Sequence, residues 1–191
     1  MRGDDAIAGR DLHVAFVRAV MIGREGLHRD VLLAMFERAG ADDCLSYIST
    51  GNVSFRAEPG AVWTIVERVE DDLEQLLGRA TPVFVRPLGE LVTLLAADPF
   101  ADPPVDAVRS CEVSFFRSAV PSHLDLPMTA SNGDWVVFGT GPREVLSVTC
   151  DRPGRQPSSP GGAIERAAGE PITTRALGTV ERIVAKLAEP G

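Results

Sequence analysis

The sequence predicts an α+β protein with a ferredoxin-like βαββαβ first half and a smaller α/β second half. Short apolar runs alternate with segments of helical periodicity over residues 13–86, in the order strand, helix, strand, strand, helix, strand. This order is that of the split βαβ unit. The pair Gly51-Asn52 separates two β-rich runs, which is a hairpin signal. Hydrophobic residues make up 45% of the 191 residues, so the chain can bury a core in one domain or in two joined halves.

The first strand is predicted at residues 13–20, where an apolar run is interrupted by the charge of Arg18. Glycines at positions 23 and 26 break this run. A helix follows, because apolar residues recur at helical spacing and a glycine stands where the helix would end. These residues are Val31, Leu32, Met35, Phe36, Ala39 and the terminal Gly40.

Two β-rich pieces, 45–48 and 53–55, flank a turn at 49–52 and predict a hairpin. The best-marked helix comes next, because an apolar stripe lies opposite a side of acidic and other polar residues. The stripe consists of Val62, Ile65, Val66, Val69, Leu73, Leu76 and Leu77. Gly78 ends this helix, and a short strand at 82–85 completes the first half.

The second half is less clearly marked. Pro87 is well placed to open a third helix, which Asp98-Pro99 ends. Residues 99–110 contain three prolines and no periodicity, and they are predicted to be a linker. Further strands are predicted at 111–116, 135–138 and 145–149, a loop at 153–162, and helices at 163–168 and 174–188. The predicted organisation is a flexible tail (1–12), the ferredoxin-like half (13–98), the linker (99–110) and a C-terminal α+β half (111–191).

The charge balance excludes several classes of partner. The net charge is −8, from 19 Lys plus Arg and 27 Asp plus Glu, and the pI is near 4.9. A protein that coats nucleic acid needs clustered cations that face phosphates, and the sequence has neither such a cluster nor a basic amphipathic face. We therefore expect no nucleic acid and no membrane as a partner. No apolar run approaches the roughly 18 residues of a membrane span, and the N-terminus lacks a signal-peptide pattern.

Known cofactor and catalytic motifs are missing from the sequence. The three cysteines, at 44, 111 and 150, show no CxxC spacing and are predicted to be free thiols in the cytoplasm. The histidines at 13, 28 and 123 lack metal-ligand spacing, so no metal is expected. The sequence contains no P-loop, no GxGxxG and no GxSxG. We accordingly expect no cofactor and name no catalytic residue.

Three groups of polar residues are candidates for a binding site. Arg18 lies in the first predicted strand, where its charge is either ion-paired or solvated or faces a ligand. The turn at 49–52 offers hydroxyl, amide and glycine backbone groups, which either bind an anion or only turn the chain. Thr173-Thr174-Arg175 precedes the last predicted helix, where the threonine either caps the helix or helps to attract an anion with Arg175.

These residues lie in segments that resemble the domain of unknown function 1697 family, a group of uncharacterised bacterial proteins. The resemblance covers nearly all of the chain. Its most specific piece is the segment 47–55, which is similar to the family's Tyr-Ile-x-Ser-Gly-Asn-Val-x-Phe hairpin. The other similar segments are 14–18 with Ile22-Gly23, Asp98-Pro99-Phe100, and 173–175 with Thr179-Val180. The resemblance implies an α+β fold with a ferredoxin-like first half, and it implies no activity.

The chain departs from the family pattern at several positions. Ala19 and Met21 stand where the family usually has Gly and Asn. The run Ala176-Leu177-Gly178 replaces the family's Asn-Trp-Asn. Ser158 and Gly161 stand where a Lys and an Asn are expected. These departures leave two interpretations open. Either this member has a different ligand, or the replaced residues have a structural role in the family.

The leading functional hypothesis is a cytoplasmic protein that binds a small polar or anionic molecule where Arg18, Asn52 and Arg175 converge. One alternative is an enzyme of a secondary pathway without a recognisable catalytic motif. The other is a self-associating interaction module such as a homodimer, because exposed ferredoxin-like sheets often pair with a copy of themselves. The predicted binding residues are Arg18, Gly23, Thr50, Gly51, Asn52, Thr174 and Arg175.

Overall fold

The structure, a computed structural model, describes residues 10–58 and 60–188. The chain divides into two compact units, of which the first ends at Glu90 and the second begins at Leu91. The sequence instead suggests a linker at 99–110. The division falls inside the helix Leu88–Ala96. The part of this helix from Leu91 onward belongs to the second unit. Residues 1–9 of the predicted tail lie outside the described residues.

The first unit contains a four-stranded sheet. Its elements are β1 (Asp11–Val17), α1 (Arg29–Ala39), β2 (Asp42–Tyr47), β3 (Asn52–Ala57), α2 (Val62–Leu77) and β4 (Val83–Pro87). The strands lie in the order β2-β3-β1-β4, and every neighbouring pair is antiparallel. In the predicted hairpin, Leu45 pairs with Ser54 and Tyr47 pairs with Asn52. This order and connectivity are ferredoxin-like, so the predicted fold of the first half is confirmed.

Both helices of the first unit pack on the same face of its sheet. Ala15 of β1 and Phe55 of β3 lie on this face, since they belong to the same core cluster as the helical side chains. Alternate residues of each strand point the same way. The helical side chains that cover them are Leu32, Met35, Phe36, Ala39, Ile65, Val66, Val69 and Leu73. On the opposite face, Phe16 and Phe84 are at most 1% exposed. This second face is therefore not an exposed apolar surface.

The second unit contains a five-stranded sheet. The elements that follow β4 are α3 (Leu88–Ala96), β5 (Val108–Phe115), β6 (Met128–Thr129), β7 (Trp135–Thr140), β8 (Glu144–Cys150), α4 (Gly161–Ala168), β9 (Thr173–Ala176) and α5 (Leu177–Ala188). The strand order is β6-β7-β8-β5-β9, again with antiparallel neighbours. Ile164 of α4 packs against Trp135, Val137 and Val145 of the sheet, while α5 contacts β5 and β9. Helices with antiparallel sheets make the α+β class that the sequence predicts.

Several predicted boundaries are wrong. β1 ends at Val17, so Arg18 lies in the turn that follows and not in the strand; Ala19 there has a φ of 53°, which is incompatible with an extended strand. β5 begins at Val108, inside the predicted linker, because it pairs with Cys150 and backbone ladder bonds need no apolar side chain. The segment 173–176 forms β9 on the edge of β5, and α5 begins only at Leu177.

The lengths of the helices can be compared with the length of a membrane span. Within residues 10–58 and 60–188, no helix has the length and apolar character needed to cross a membrane.

Candidate functional site

Five of the predicted binding residues lie in or next to two turns at one end of the first unit's sheet. We call residues 18–25 and 48–51 the turn cluster. Backbone hydrogen bonds hold the two turns together: the Val17 amide donates to the Gly51 carbonyl at 2.8 Å, and the Ile22 amide donates to the Ser49 carbonyl at 2.8 Å. The Arg18 amide donates to the Pro82 carbonyl at 3.0 Å. Arg18, Gly23, Thr50, Gly51 and Asn52 are therefore neighbours.

Gly51 allows the two turns to approach this closely. Its φ is +67°, in the left-handed region that favours glycine. A Cβ atom at this position would overlap Val20 Cγ2 and lie 3.0 Å from Val17 Cβ. Both the backbone conformation and the contact with Val17 therefore require glycine, which gives Gly51 a structural reason to be present.

Asn52 closes the hairpin from inside the sheet. The residue is fully buried, and its Nδ2 donates to the Tyr47 carbonyl at 3.2 Å and to Thr50 Oγ1 at 3.0 Å. The first bond ties the first residue of β3 to the last residue of β2, and the second ties it to the turn between them. The amide nitrogen of Asn52 and the hydroxyl of Thr50 thus shape the turn, and any ligand would meet a turn that is already ordered.

The backbone of the turn cluster is unusual at three positions that are not glycine. Ala19, Glu25 and Ile48 have φ values of 53°, 52° and 57°. A left-handed conformation costs an L-residue about 1–2 kcal/mol, and a β-branched residue such as isoleucine rarely adopts it. Such conformations concentrate at ligand sites and switch regions. Gly23, with a φ of +90° and no heavy atom near its Cβ position, takes the same conformation without that cost.

Positive charge gathers at the turn cluster, although the chain as a whole carries −8. Arg18 is partly exposed and Arg24 is exposed. Arg79, which precedes β4, donates from Nη2 to Glu25 Oε2 at 2.9 Å and to the Ala19 carbonyl at 3.5 Å. Three arginines therefore surround these turns together with Glu25, the one carboxylate within the turn cluster.

Thr174 and Arg175 lie in the second unit and do not cap a helix. They are consecutive residues of β9, so their side chains point to opposite faces of the sheet. Thr174 Oγ1 lies 2.8 Å from Ser114 Oγ in a hydroxyl pair. Arg175 Nη1 donates to Thr173 Oγ1 at 2.8 Å and to the Thr174 carbonyl at 2.9 Å, and burial lowers the pKa of Arg175 to about 10. Because Arg18 and Arg175 belong to different units, their convergence on one surface stays a prediction.

A buried aspartate in the second unit escaped the sequence analysis. Asp134 is 1% exposed, and it accepts hydrogen bonds from the side chains of Arg155, Ser158 and Asn132 and from the Ser158 backbone. The hydrogen bonds from Arg155 and Ser158 hold the pKa of Asp134 well below its usual range. The residues that bind Asp134 from the 151–160 loop follow it by about twenty positions, and no local motif signals the contact.

A second group missed by the sequence analysis lies on the sheet face that α4 covers. We call it the polar face; it consists of Ser110, Glu112 and Ser114 of β5, Ser147 and Thr149 of β8, and Thr174 of β9. Polar residues at alternate positions of β5 and β8 indicate such a face in the sequence, because side chains two residues apart share one face of a strand. The signal was weak, since a polar strand face is usually solvated.

Other features of the described residues offer less. A cleft of about 300 Å³ in the first unit is lined by Arg10, Gly40, Glu58, Thr64 and Arg68, among others. Its arginines already have partners: Arg10 pairs with Asp42 and Glu58, and Arg68 Nη1 donates to the Ala39 carbonyl at 3.3 Å. In the described ranges, no three His, Cys, Asp or Glu residues are grouped so that they could hold a metal ion.

Comparisons with known proteins agree with this fold and assign no activity. A family model described as "Protein of unknown function (DUF1697)" matches residues 11–134. No curated protein matches the chain. A solved structure, that of the conserved bacterial protein SP0830 from Streptococcus pneumoniae, is similar with a TM-score of 0.65 and 16% sequence identity, over 95% of this chain and 100% of that one. This likeness shows the fold alone.

Proposed function

The chain belongs to the DUF1697 family, whose proteins have no established function, and we propose that it binds a small polar or anionic molecule at the turn cluster. The observation that carries the proposal is the gathering of Arg18, Arg24 and Arg79 around two interlocked turns in a chain of net charge −8. A local field of opposite sign to the net charge concentrates anions at that surface. Arginine also binds carboxylate and phosphate groups through two parallel hydrogen bonds.

The remaining groups of the turn cluster suit a polar ligand. Ser49 and Thr50 are exposed and offer hydroxyls beside the arginines. The backbone is held by the bonds from Val17 and Ile22, so a ligand would have to order little more than the arginine side chains. Preorganisation of this kind raises affinity by lowering the entropy cost of binding. The left-handed Ala19, Glu25 and Ile48 add the backbone strain that is common at ligand sites.

The two alternative functions have less support in the described residues. The turn cluster contains no histidine or cysteine and a single carboxylate, Glu25, so it does not offer a pair of groups for general acid–base catalysis. Self-association through the sheet face opposite α1 and α2 would need an exposed apolar surface there. Phe16 and Phe84 on that face are buried, which disfavours a homodimer formed in this way.

We also infer that the protein works in a bacterial cytoplasm. Its three cysteines are free, which is usual in a reducing compartment. The similar solved structure is a bacterial protein. Fractionation of the native host cells, with the protein followed by an antibody, tests this inference; recovery in the periplasmic or extracellular fraction would overturn it.

Anion binding can be tested by backbone amide NMR with succinate and inorganic phosphate as probes. We expect saturable shifts for the amides of residues 18–25 and 48–51, with chloride at equal ionic strength giving none. The double variant Arg18→Ala/Arg24→Ala should bind at least tenfold more weakly, since charge-assisted hydrogen bonds contribute about 1.5–3 kcal/mol each. Arg166→Ala, which removes an exposed arginine of the second unit, is the matched control. Shifts that are absent for both probes, or equal in the double variant, would refute the proposal.

A further inference from the structure

The polar face of the second unit holds a carboxylate and five hydroxyls in partly apolar surroundings. Its residues lie on the face that Ile164 of α4 covers, together with Trp135, Val137 and Val145. The strand register places the apolar residues directly beside polar ones: Val137 pairs with Ser147, and Trp135 pairs with Thr149. Ser114, Ser147 and Thr149 are buried, while Ser110, Glu112 and Thr174 are half-buried. Polar atoms that are removed from water need partners in order not to destabilise the fold.

Two neighbouring side chains on the polar face have oxygens without such partners. Glu112 and Ser147 are directly paired across β5 and β8. Glu112 Oε1 accepts from Ser110 Oγ at 3.1 Å and from Thr149 Oγ1 at 3.3 Å. Glu112 Oε2 and Ser147 Oγ are buried, and neither has a hydrogen-bond partner among residues 10–58 and 60–188. Ser147 is 0% exposed.

Glu112 Oε2 and Ser147 Oγ are close enough to bind one ligand together. Directly opposed residues of antiparallel strands have Cβ atoms about 4.5–5.5 Å apart, so a single small group can reach both side chains. The hydroxyl pair of Ser114 and Thr174, with its oxygens 2.8 Å apart, lies on the same face, one pleat along from Glu112. The start of α4 approaches it, since a Cβ on Gly161 would lie 3.5 Å from Thr174 Oγ1.

We propose that the polar face is a binding site for a small primary ammonium compound, held by Glu112 Oε2 and Ser147 Oγ. A carboxylate oxygen can only accept hydrogen bonds, so its partner must be a donor. An ammonium group has three N–H donors. One donor is then available for Glu112, one for Ser147 and one for the hydroxyl pair of Ser114 and Thr174. Its charge complements Glu112, whereas an anion would be repelled. A divalent cation is less suited, because Ca²⁺ and Mg²⁺ prefer more oxygen ligands or several retained waters.

A cation beside Glu112 would counter the electrostatic cost of burying its carboxyl. Burial raises the pKa of the Glu112 carboxyl, although the hydrogen bonds from Ser110 and Thr149 act in the opposite direction. A bound ammonium would favour the ionised form and offset that burial. This site differs from the turn cluster in its unit and in the charge of its ligand, so it stands whether or not the turn cluster binds an anion.

The test compares ethylammonium with tetramethylammonium, which carries the same charge and no N–H donor. Amide NMR of the wild-type protein should show saturable shifts in β5 and β8 with ethylammonium and none with tetramethylammonium. Glu112→Gln, which keeps the side-chain shape and removes the charge, should weaken binding at least tenfold, as should Ser147→Ala. Ser122→Ala, at an exposed position, should bind like the wild type. Circular dichroism and melting curves establish that each variant is folded.

Two outcomes would overturn the proposal. The first is no saturable response to ethylammonium, with a crystal structure in which an ordered water alone bridges Glu112 Oε2 and Ser147 Oγ. The second is a response of equal affinity in folded Glu112→Gln and Ser147→Ala. If Ser147→Ala fails to fold, Ser147→Cys keeps a small polarisable group at this position and is expected to show the same weakened binding.

Discussion

Asp134 and Arg155 form a two-point ion pair, in which both terminal guanidinium nitrogens of Arg155 donate to the Asp134 carboxylate. Asp134 immediately precedes β7, whereas Arg155 belongs to the loop between β8 and α4. The backbone amide of Ser158 donates to the same carboxylate at 2.8 Å and its hydroxyl at 2.9 Å. One buried carboxylate thus anchors a loop that has no secondary structure of its own.

We predict that Asp134→Asn releases this loop and lowers the melting temperature at neutral pH. The pKa of Asp134 lies below the value of about 3.9 for an unfolded aspartate. Its ionised form therefore stabilises the fold above roughly pH 4, and this contribution is lost as the pH falls further. The difference in melting temperature between the two proteins should be large at pH 7 and shrink below pH 4.

Limited trypsin digestion provides a second measurement of the same change. Arg155 should become a cleavage site in Asp134→Asn while it remains resistant in the wild type. Asp125→Asn, at an exposed position, should change neither the melting temperature nor the digestion pattern. Equal stability of Asp134→Asn and the wild type at pH 7 would show that the loop is held by other contacts.

We predict that Gly51→Ala destabilises the protein more than Gly78→Ala. The two glycines have nearly the same φ, +67° and +68°, but only Gly51 has neighbours where a Cβ would stand. Gly78→Ala should cost about 1–2 kcal/mol, the strain of a left-handed alanine. Gly51→Ala should cost the same strain energy plus about 1–3 kcal/mol for overpacking against Val17 and Val20. Urea unfolding measures both, and equal losses would contradict the close approach of the two turns.

We predict that Val69→Asp prevents stable folding. Val69 is fully buried in the core between α2 and the sheet, so an unpaired carboxylate there would cost several kcal/mol, on the order of the stability of a whole domain. Leu76→Asp is the matched control, because Leu76 lies on the same helix and is 39% exposed. Soluble expression and melting curves distinguish them; an unchanged melting temperature for Val69→Asp would mean that the core lies elsewhere.

We predict that Cys44 reacts slowly with iodoacetamide in the folded protein. Burial, followed by the nearby carboxylates of Glu37 and Asp43, raises the pKa of Cys44 to about 12. The thiolate is the reactive form, so its fraction at pH 8 is very small. Peptide mapping after timed alkylation should show Cys44 modified far more slowly in buffer than in urea. Equal rates in both conditions would contradict the burial of this thiol.

The sequence by itself determined the ferredoxin-like unit, because its signals are local. The apolar stripe of α2 follows from a period of 3.6 residues within one segment, and Val69 lies in the core as that stripe predicts. The hairpin at Gly51-Asn52 follows from a glycine that can take a positive φ. These properties depend on residues only a few positions apart, so a single sequence displays them.

Only the tertiary structure decided how the polar residues of the second unit are used. The segment 173–176 became β9 because β5 had an open edge to pair with, although its residues also suit a helix start. The register of β5 and β8 placed Glu112 beside Ser147, and the returning loop brought Ser158 and Arg155 to Asp134. Such contacts join residues 21 to 64 positions apart, and no local periodicity encodes a hydrogen bond across that separation.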